Sequence, residues 1–162
     1  MIKMILCTDL IGAIGKNNQL LYNMKEDMRL FRNYTKGATV VMGYNTWESL
    51  PVKPLVKRKN IVLSKSHNIE STDVQIMRDF NEVIELAKNE VIIVIGGAQL
   101  YNKFIQEDLV DEVLITMVQE INKDEPDTFV DIQTMQTNLL KRELVTIIND
   151  GKYVAHVFKF TK

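Results

Sequence analysis

One cysteine, three prolines, two histidines and seven glycines are spread over 162 residues, and each scarcity closes off a class of protein. A lone thiol, Cys7, cannot form an internal disulfide, which excludes a small disulfide-stapled fold; its place in an apolar, strand-like run suits a reducing compartment. Two histidines and one cysteine give none of the ligand spacings that build a metal site, so no metal is expected. An excess of one charge is also missing. Lys and Arg number 20 against 21 Asp and Glu, a net charge of −1, without the basic surplus that marks a nucleic-acid or anionic-membrane surface. The N-terminal run MIKMILCTDL is interrupted by Asp9, far short of the ~20 residues of a membrane span, and lacks a small-residue cleavage site. What is present is ordinary globular usage, 46% hydrophobic and 25% charged, at a length that fits one domain. The expectation is a single cytoplasmic domain, monomeric, with a small-molecule partner and with neither nucleic acid nor membrane as partner.

Along the chain, apolar runs alternate with helical patterns. Residues 2–8 are nearly continuous hydrophobe, as in a strand covered on both faces, and residues 12–18 read as a Gly- and Asn-rich loop. Further strands are predicted at 38–42, 60–64, 74–77, 91–95 and 112–118. Helices are predicted from Met24 to Tyr34, from Asn45 or Thr46 (as cap) through Trp47, Glu48 and Leu50, from Asp79 to about Lys88, and from Ala98 through Tyr101, Phe104 and Ile105. Residues 119–128 form an acidic polar loop. Residues 143–148 and 153–160 flank Asp150-Gly151, a pair suited to a tight turn, and so predict a C-terminal antiparallel hairpin. The fold class is α/β, a mostly parallel central sheet of about eight strands with helices on both faces.

The first helix contains an anomaly. Asn23 and Glu26 have capping-box spacing, and Met24, Met28, Leu30, Phe31 and Tyr34 make one apolar face. Asp27 lies three residues after Met24, four before Phe31 and seven before Tyr34, within that face. Either it swings out to solvent near the positive end of the helix dipole, or it lines a pocket. In a pocket it could accept two parallel N–H bonds from a planar, amidine-like edge, and desolvation would raise its pKa towards a useful range for proton transfer. A second pattern is strand, glycine, helix start, which occurs at Gly43 and again at Gly96-Gly97. Such junctions let a backbone and its free N–H groups approach an anion, so the pair could grip a pyrophosphate, although neither is a Gly-x-Gly-x-x-Gly or Walker motif.

In this order, the following segments resemble the dihydrofolate reductase family over almost the whole chain: Ile14-Gly15-Lys16; Glu26-Asp27 with Phe31; Val41-Met42-Gly43 followed by Thr46-Trp47-Glu48-Ser49-Leu50; Arg58-Lys59-Asn60-Ile61-Val62-Leu63-Ser64; Ile95-Gly96-Gly97 with Tyr101; Thr116; and Asp127-Thr128-Phe129. The resemblance implies NADPH-dependent reduction of 7,8-dihydrofolate to 5,6,7,8-tetrahydrofolate, with hydride going to pterin C6 and a proton to N5. It makes Asp27 and Thr116 the pair that holds the 2-amino and ring N–H edge of the pterin, with Tyr22 also in a catalytic position. Ile5, Met28, Phe31, Leu50 and Leu55 become walls of the substrate pocket, and Arg58 the partner of the substrate glutamate.

For the cofactor, the resemblance implies contacts from Cys7, Ile14, Gly15 and Leu20, from Gly43, Tyr44, Asn45 and Thr46, from Leu63, Ser64 and Lys65, and from Ile95, Gly96, Gly97, Ala98, Gln99, Leu100 and Tyr101. Residues 13–20 match a mobile loop over the active site, and the Gly96-Gly97 bond is implied to be cis. Three departures stand out. Leu20-Leu21-Tyr22 replaces the frequent Leu-Pro-Trp, so Tyr22 has a hydroxyl where an indole N–H usually holds a water near the pterin carbonyl. Pro126 occupies a position before Asp127 where glycine is common. Tyr44 stands where an arginine or lysine often meets the adenosine 2′-phosphate, leaving Ser64 and Lys65 to select NADPH over NADH. A pyrimidine reductase of riboflavin synthesis, of similar fold, would not need Asp27, and a catalytically silent nucleotide-binding module would need none of Asp27, Thr116 and Arg58.

Overall fold

The computed structural model describes residues 1–162. Its elements run β1 (Ile2–Thr8), β2 (Ala13–Lys16), β3 (Gln19–Leu20), α1 (Lys25–Thr35), β4 (Thr39–Gly43), α2 (Tyr44–Ser49), β5 (Lys59–Leu63), β6 (Val74–Met77), α3 (Phe80–Ala87), β7 (Ile92–Gly96), α4 (Ala98–Gln106), β8 (Glu112–Val118), β9 (Thr128–Phe129), α5 (Ile132–Asn138), β10 (Lys141–Asn149) and β11 (Val154–Thr161). Eight strands form the main sheet in the order β10-β11-β8-β1-β7-β4-β5-β6. From β8 to β6 the neighbours are parallel, and β11 and β10 close one edge antiparallel. None of the helices is long and apolar enough to cross a membrane.

The strand pleat divides the core. On β1, Ile2, Met4 and Leu6 face one side, where α3, α4 and α5 contribute Val83, Phe104, Ile105 and Met135. Ile5 and Cys7 face the other, with Met24 and Phe31 of the α1 region and Trp47 of α2. The central strands are therefore buried on both faces, as their unbroken apolar runs predict. The β1–β7 pairing ends at Met4↔Val94, while β1 continues beside β8 as far as Thr8↔Met117. Where the ladder to β7 stops, the Tyr101 hydroxyl donates to the Ile5 carbonyl at 2.7 Å. The strands thus begin to part at their carboxyl ends, the usual place for a ligand in a parallel sheet.

The structure departs from the sequence expectation at several points. Residues 12–18 are not a loop alone: β2 pairs antiparallel with β3 and with β9, and β9 ends the stretch expected to be an acidic loop. Helix α1 starts at Lys25 with Met24 as its N-cap and no side-chain capping bond, so Asn23 does not cap it. Gly43 is the N-cap of α2, which places Asn45 and Thr46 inside the helix rather than at its cap. Helix α5 was not anticipated; Asp131 caps it, accepting from Thr134 N at 3.1 Å. The capping box at α3 is as expected: Asp79 accepts from Asn81 N at 2.8 Å, and Glu82 Oε1 accepts from Asp79 N at 3.1 Å. Gly151, at φ +87°, makes the hairpin turn.

The two capping signals therefore separate experimentally. Asp79→Ala should lower unfolding stability by about 1 kcal/mol, the usual loss for an acidic cap. Asn23→Ala should stay within about 0.5 kcal/mol of the parent, because no capping bond is removed. Urea unfolding of both variants measures the difference, and equal losses would overturn it.

Candidate active site

Helix α1 brings Asp27 over the carboxyl half of β1 and β8. In the β1–β8 register Cys7 lies opposite Thr116, on the face that α1 covers. Thr116 Oγ1 donates to Asp27 Oδ1 at 2.7 Å. Asp27 is partly buried, and its carboxyl is pushed above the ordinary carboxylate range by desolvation, with the Thr116 bond opposing part of that rise. Burial also lifts the Cys7 thiol well above its usual value, and the Asp27 charge adds to it. Asp27 does not swing out to solvent: it is turned inward, partly buried against Thr116. Its second oxygen, Oδ2, makes no hydrogen bond within the chain.

Around this pair, Ile5 is buried and Phe31, Leu50 and Leu55 are half-buried, packed on the same side of the sheet as Asp27. Met28 lies at 39% exposure and Leu20 at 73%. Arg58 is held rather than free: Nε donates to Thr35 Oγ1 at 3.1 Å, Nη1 to Val56 O at 2.8 Å and Nη2 to Arg32 O at 3.2 Å. These bonds fix the guanidinium against the end of α1 and leave further N–H donors for an acid.

The two glycine junctions come together because β4 and β7 are neighbours, with Met42 opposite Gly96. A Cβ built on Gly43 would come within 3.9 Å of Gly97 N, and one on Gly96 or Gly97 within 3.1 or 3.3 Å of Thr46 Oγ1. Gly96 has φ +135° and the Gly96-Gly97 peptide is cis. Neither α2 nor α4 has a side-chain cap, so their first N–H groups face this approach. The backbone here is a cradle that a side chain would fill, and it fits a phosphate-bearing ligand. Ala98 and Gln99 open α4, while Leu100 and Tyr101 turn into the core at 8% and 4% exposure. Ile95 and Ile14 are also buried. Ser64 is buried directly beyond β5, next to exposed Lys65, and Leu63 is half-buried.

The flap of β2 and β3 is tied down from the other side. Asp127 Oδ2 accepts from Asn17 N at 3.0 Å, and Asp127 N donates to Gly15 O at 3.1 Å, so Pro126 does not prevent docking. Tyr22 is buried, and its hydroxyl is engaged by this region: it donates to Glu120 Oε2 at 3.1 Å and accepts from Asn122 Nδ2 at 3.2 Å. Asp9, wholly buried, accepts from Ile11 N, Ala13 N and Asn122 N, each at 2.9 Å. Glu120, Asn122 and Asp9 were not singled out from the sequence. Only Asp9, an acid interrupting an apolar run, carried a signal.

Comparison with known proteins agrees with this geometry. The family model for dihydrofolate reductase matches residues 1–159. The dihydrofolate reductase of Ureaplasma parvum serovar 3 is 40% identical over 106 residues, covering 65% of this chain and 68% of that protein. A putative dihydrofolate reductase of Caenorhabditis elegans is 36% identical over 132 residues, covering 71% and 70%. Among solved structures, dihydrofolate reductase from Enterococcus faecalis, complexed with NADP(H) and RAB-propyl, has a TM-score of 0.80 and 26% identity, covering 99% of this chain and 95% of that one. A match along the whole sequence, a shared topology and an acid paired with a threonine at the carboxyl ends of the strands lead to one conclusion: the chain belongs to the dihydrofolate reductase family.

Proposed function

We propose that residues 1–162 act as one catalytic domain that reduces 7,8-dihydrofolate to 5,6,7,8-tetrahydrofolate with NADPH. The observation that carries the reading is the half-buried Asp27 carboxylate with Thr116 at 2.7 Å. One carboxylate oxygen is oriented by the threonine, and the other is free to accept from a planar edge of two N–H groups, which the 2-amino and ring N–H of a pterin present. NADPH, when bound, supplies the hydride that goes to pterin C6. The protein's part is the proton destined for N5: burial raises the Asp27 pKa, bringing the carboxyl nearer to the range where an acid can hold and release a proton at working pH.

Thr116 keeps the carboxylate in register with the pocket, and Ile5, Phe31, Leu50 and Leu55 form apolar walls that exclude water from it. Arg58, already anchored by three bonds, is placed for the substrate's glutamate carboxylate. The Gly43 and Gly96-Gly97 cradle and the N-terminus of α4 would hold the cofactor phosphates. Ser64 and Lys65 lie at the end of the neighbouring strand for the adenosine end. Tyr22, whose hydroxyl is bonded to Glu120 and Asn122, serves by anchoring the segment after β8 to the edge of the site.

The direct test is consumption of NADPH absorbance by purified protein with dihydrofolate. No consumption would favour a silent binding module, and consumption only with a ribosylamino-pyrimidine would favour the riboflavin enzyme. Asp27→Asn should retain the fold and lose about two to four decades of turnover, the scale of an acid–base group, with the deficit shrinking at low pH where substrate arrives protonated. Unchanged turnover across pH would overturn the role.

The same variant also tests the burial. Because the folded-state pKa of Asp27 is raised, its favourable contribution is present below the unfolded value of about 4 and is lost as pH rises through the folded one. Asp27→Asn should therefore melt above the parent at neutral pH, the gap closing as pH falls into the ordinary carboxylate range. A variant that melts below the parent at pH 7 would contradict a desolvated acid. For cofactor choice, Lys65→Ala should lower kcat/KM with NADPH and leave NADH little changed; equal losses would remove Lys65 from the selection.

A further inference from the structure

Helix α1 is bonded to β8 at two places, and the Asp27 site uses only one of them. Seven residues after Asp27, on the same face, the Tyr34 hydroxyl donates to Glu112 Oε2 at 2.5 Å. Lys3 Nζ lies 3.3 Å from that same oxygen and 5.7 Å from the centroid of the Tyr34 ring. Lys3 and Glu112 are opposite each other in the β1–β8 register, as Cys7 and Thr116 are further along the same strands. The pleat therefore puts Lys3, Ile5 and Cys7 of β1, and Glu112, Leu114 and Thr116 of β8, in two rows beneath α1. Asp27, Phe31 and Tyr34 form the facing row, at helical spacings of four and three. Asp27 meets the Thr116 end of these rows, while Tyr34 meets the Glu112 end, at the amino ends of the strands and away from the ligand side. Burial and the Glu112 carboxylate hold the phenol well above its ordinary range, so it stays a neutral donor.

We propose that Tyr34 is a positioning residue for the Asp27 carboxyl: its bond to Glu112, with Lys3 completing the ion pair, holds the far end of α1 down so that Asp27 stays seated on Thr116. This rests on the reading of Asp27 as the acid that serves the reaction. A single bond at one end leaves a helix free to pivot about it, whereas a second one, two turns or about 10 Å away, fixes both its tilt and its slide along the sheet. Little else on this face does so. Helix α1 has no side-chain cap, and Leu30 and Phe31, between the two bonds, are half-buried apolar groups whose contacts are non-directional. Arg58 ties the same end of α1 to the segment before β5, but that segment does not carry Thr116. Because desolvation is what raises the Asp27 pKa, seating and titration move together: a helix that lifts lets water reach the carboxyl and returns it towards its ordinary value. The titratable groups beside Asp27, Cys7 on β1 and Tyr101 on α4, are both kept neutral by burial. Replacing a neutral phenol by a phenyl ring changes no charge, so Tyr34→Phe reaches Asp27 only through the position of α1.

The experiment uses the whole chain, with its aspartate carboxyl carbons isotopically labelled and the Asp27 resonance assigned by Asp27→Asn. That resonance is titrated without ligand in the parent, in Tyr34→Phe and in Glu112→Gln, and kcat and KM for dihydrofolate are measured across the same pH range. Tyr34→Phe should lower the Asp27 pKa by about half a unit or more and reduce kcat at neutral pH by about three- to tenfold, with a smaller change in KM. Glu112→Gln keeps an acceptor for the phenol in its amide oxygen and should leave the Asp27 titration close to the parent's. A Tyr34→Phe protein that unfolds in less urea but retains the parent's Asp27 pKa and kcat would show a bond that only stabilises the fold, and would overturn the proposal. If Tyr34→Phe does not fold, Glu112→Ala, which keeps the phenol and removes its acceptor, carries the same expectation and the same refutation. The titration needs no turnover. A parent that does not reduce dihydrofolate would therefore overturn the function reading, while the Asp27 titration still decides the role of Tyr34.

Discussion

Thr116 Oγ1 donating across 2.7 Å to a carboxylate on α1 is the contact that makes a site out of a sheet and a helix. An acid among apolar side chains is costly unless it is hydrogen-bonded, and Asp27 is only partly compensated: one oxygen is bonded, and desolvation lifts its pKa. The contact needs the β1–β8 register that sets Cys7 opposite Thr116, and the α1 spacing that turns Asp27 inward with Phe31. A shift of either strand by one residue would send Thr116 to the opposite face, among the side chains that meet α4 and α5.

Asp9 shows what a fully compensated buried acid looks like in the same protein. Its two oxygens accept three backbone N–H bonds, from Ile11, Ala13 and Asn122, and so join the turn after β1 to the segment after β8. Tyr22, bonded to Glu120 and Asn122, reinforces that join. One acid is used up in holding the backbone, and the other keeps one oxygen without a partner in the chain. The flap formed by β2 and β3 is thereby tethered at its base by Asp9 and along its length by Asp127, while Leu20 stands open to solvent.

Much of this was legible in the linear pattern, for identifiable reasons. Long apolar runs marked β1, β4, β7 and β8 because strands buried on both faces cannot alternate, and glycine marked the exits of β4 and β7. Asp79 with Glu82 marked the start of α3 because both halves of the box are local. The same spacing at Asn23 and Glu26 misled: Met24 is drawn into the core at 1% exposure and takes the cap position itself. Strands β2, β3 and β9 were hidden because each is two to four residues long and exists through pairing with partners more than a hundred residues away or through a tight turn. Tyr34 was legible as one more member of the α1 apolar face, and only the fold set its hydroxyl on Glu112, 78 positions away.

The sequence by itself determined the class of fold, the order of its main strands and helices, the misplaced acid at Asp27 and the two glycine junctions, since these follow from local periodicity and from what glycine and a buried carboxylate permit. The tertiary structure decided which of those features meet. It set Thr116 against Asp27, brought Gly43 within reach of Gly97, turned the Tyr22 hydroxyl to Glu120 and stacked Tyr44 on His67. The physical reason is that strand order and register are set by the burial of the whole sheet, and pairings between residues 20 to 100 positions apart leave no mark in any local pattern.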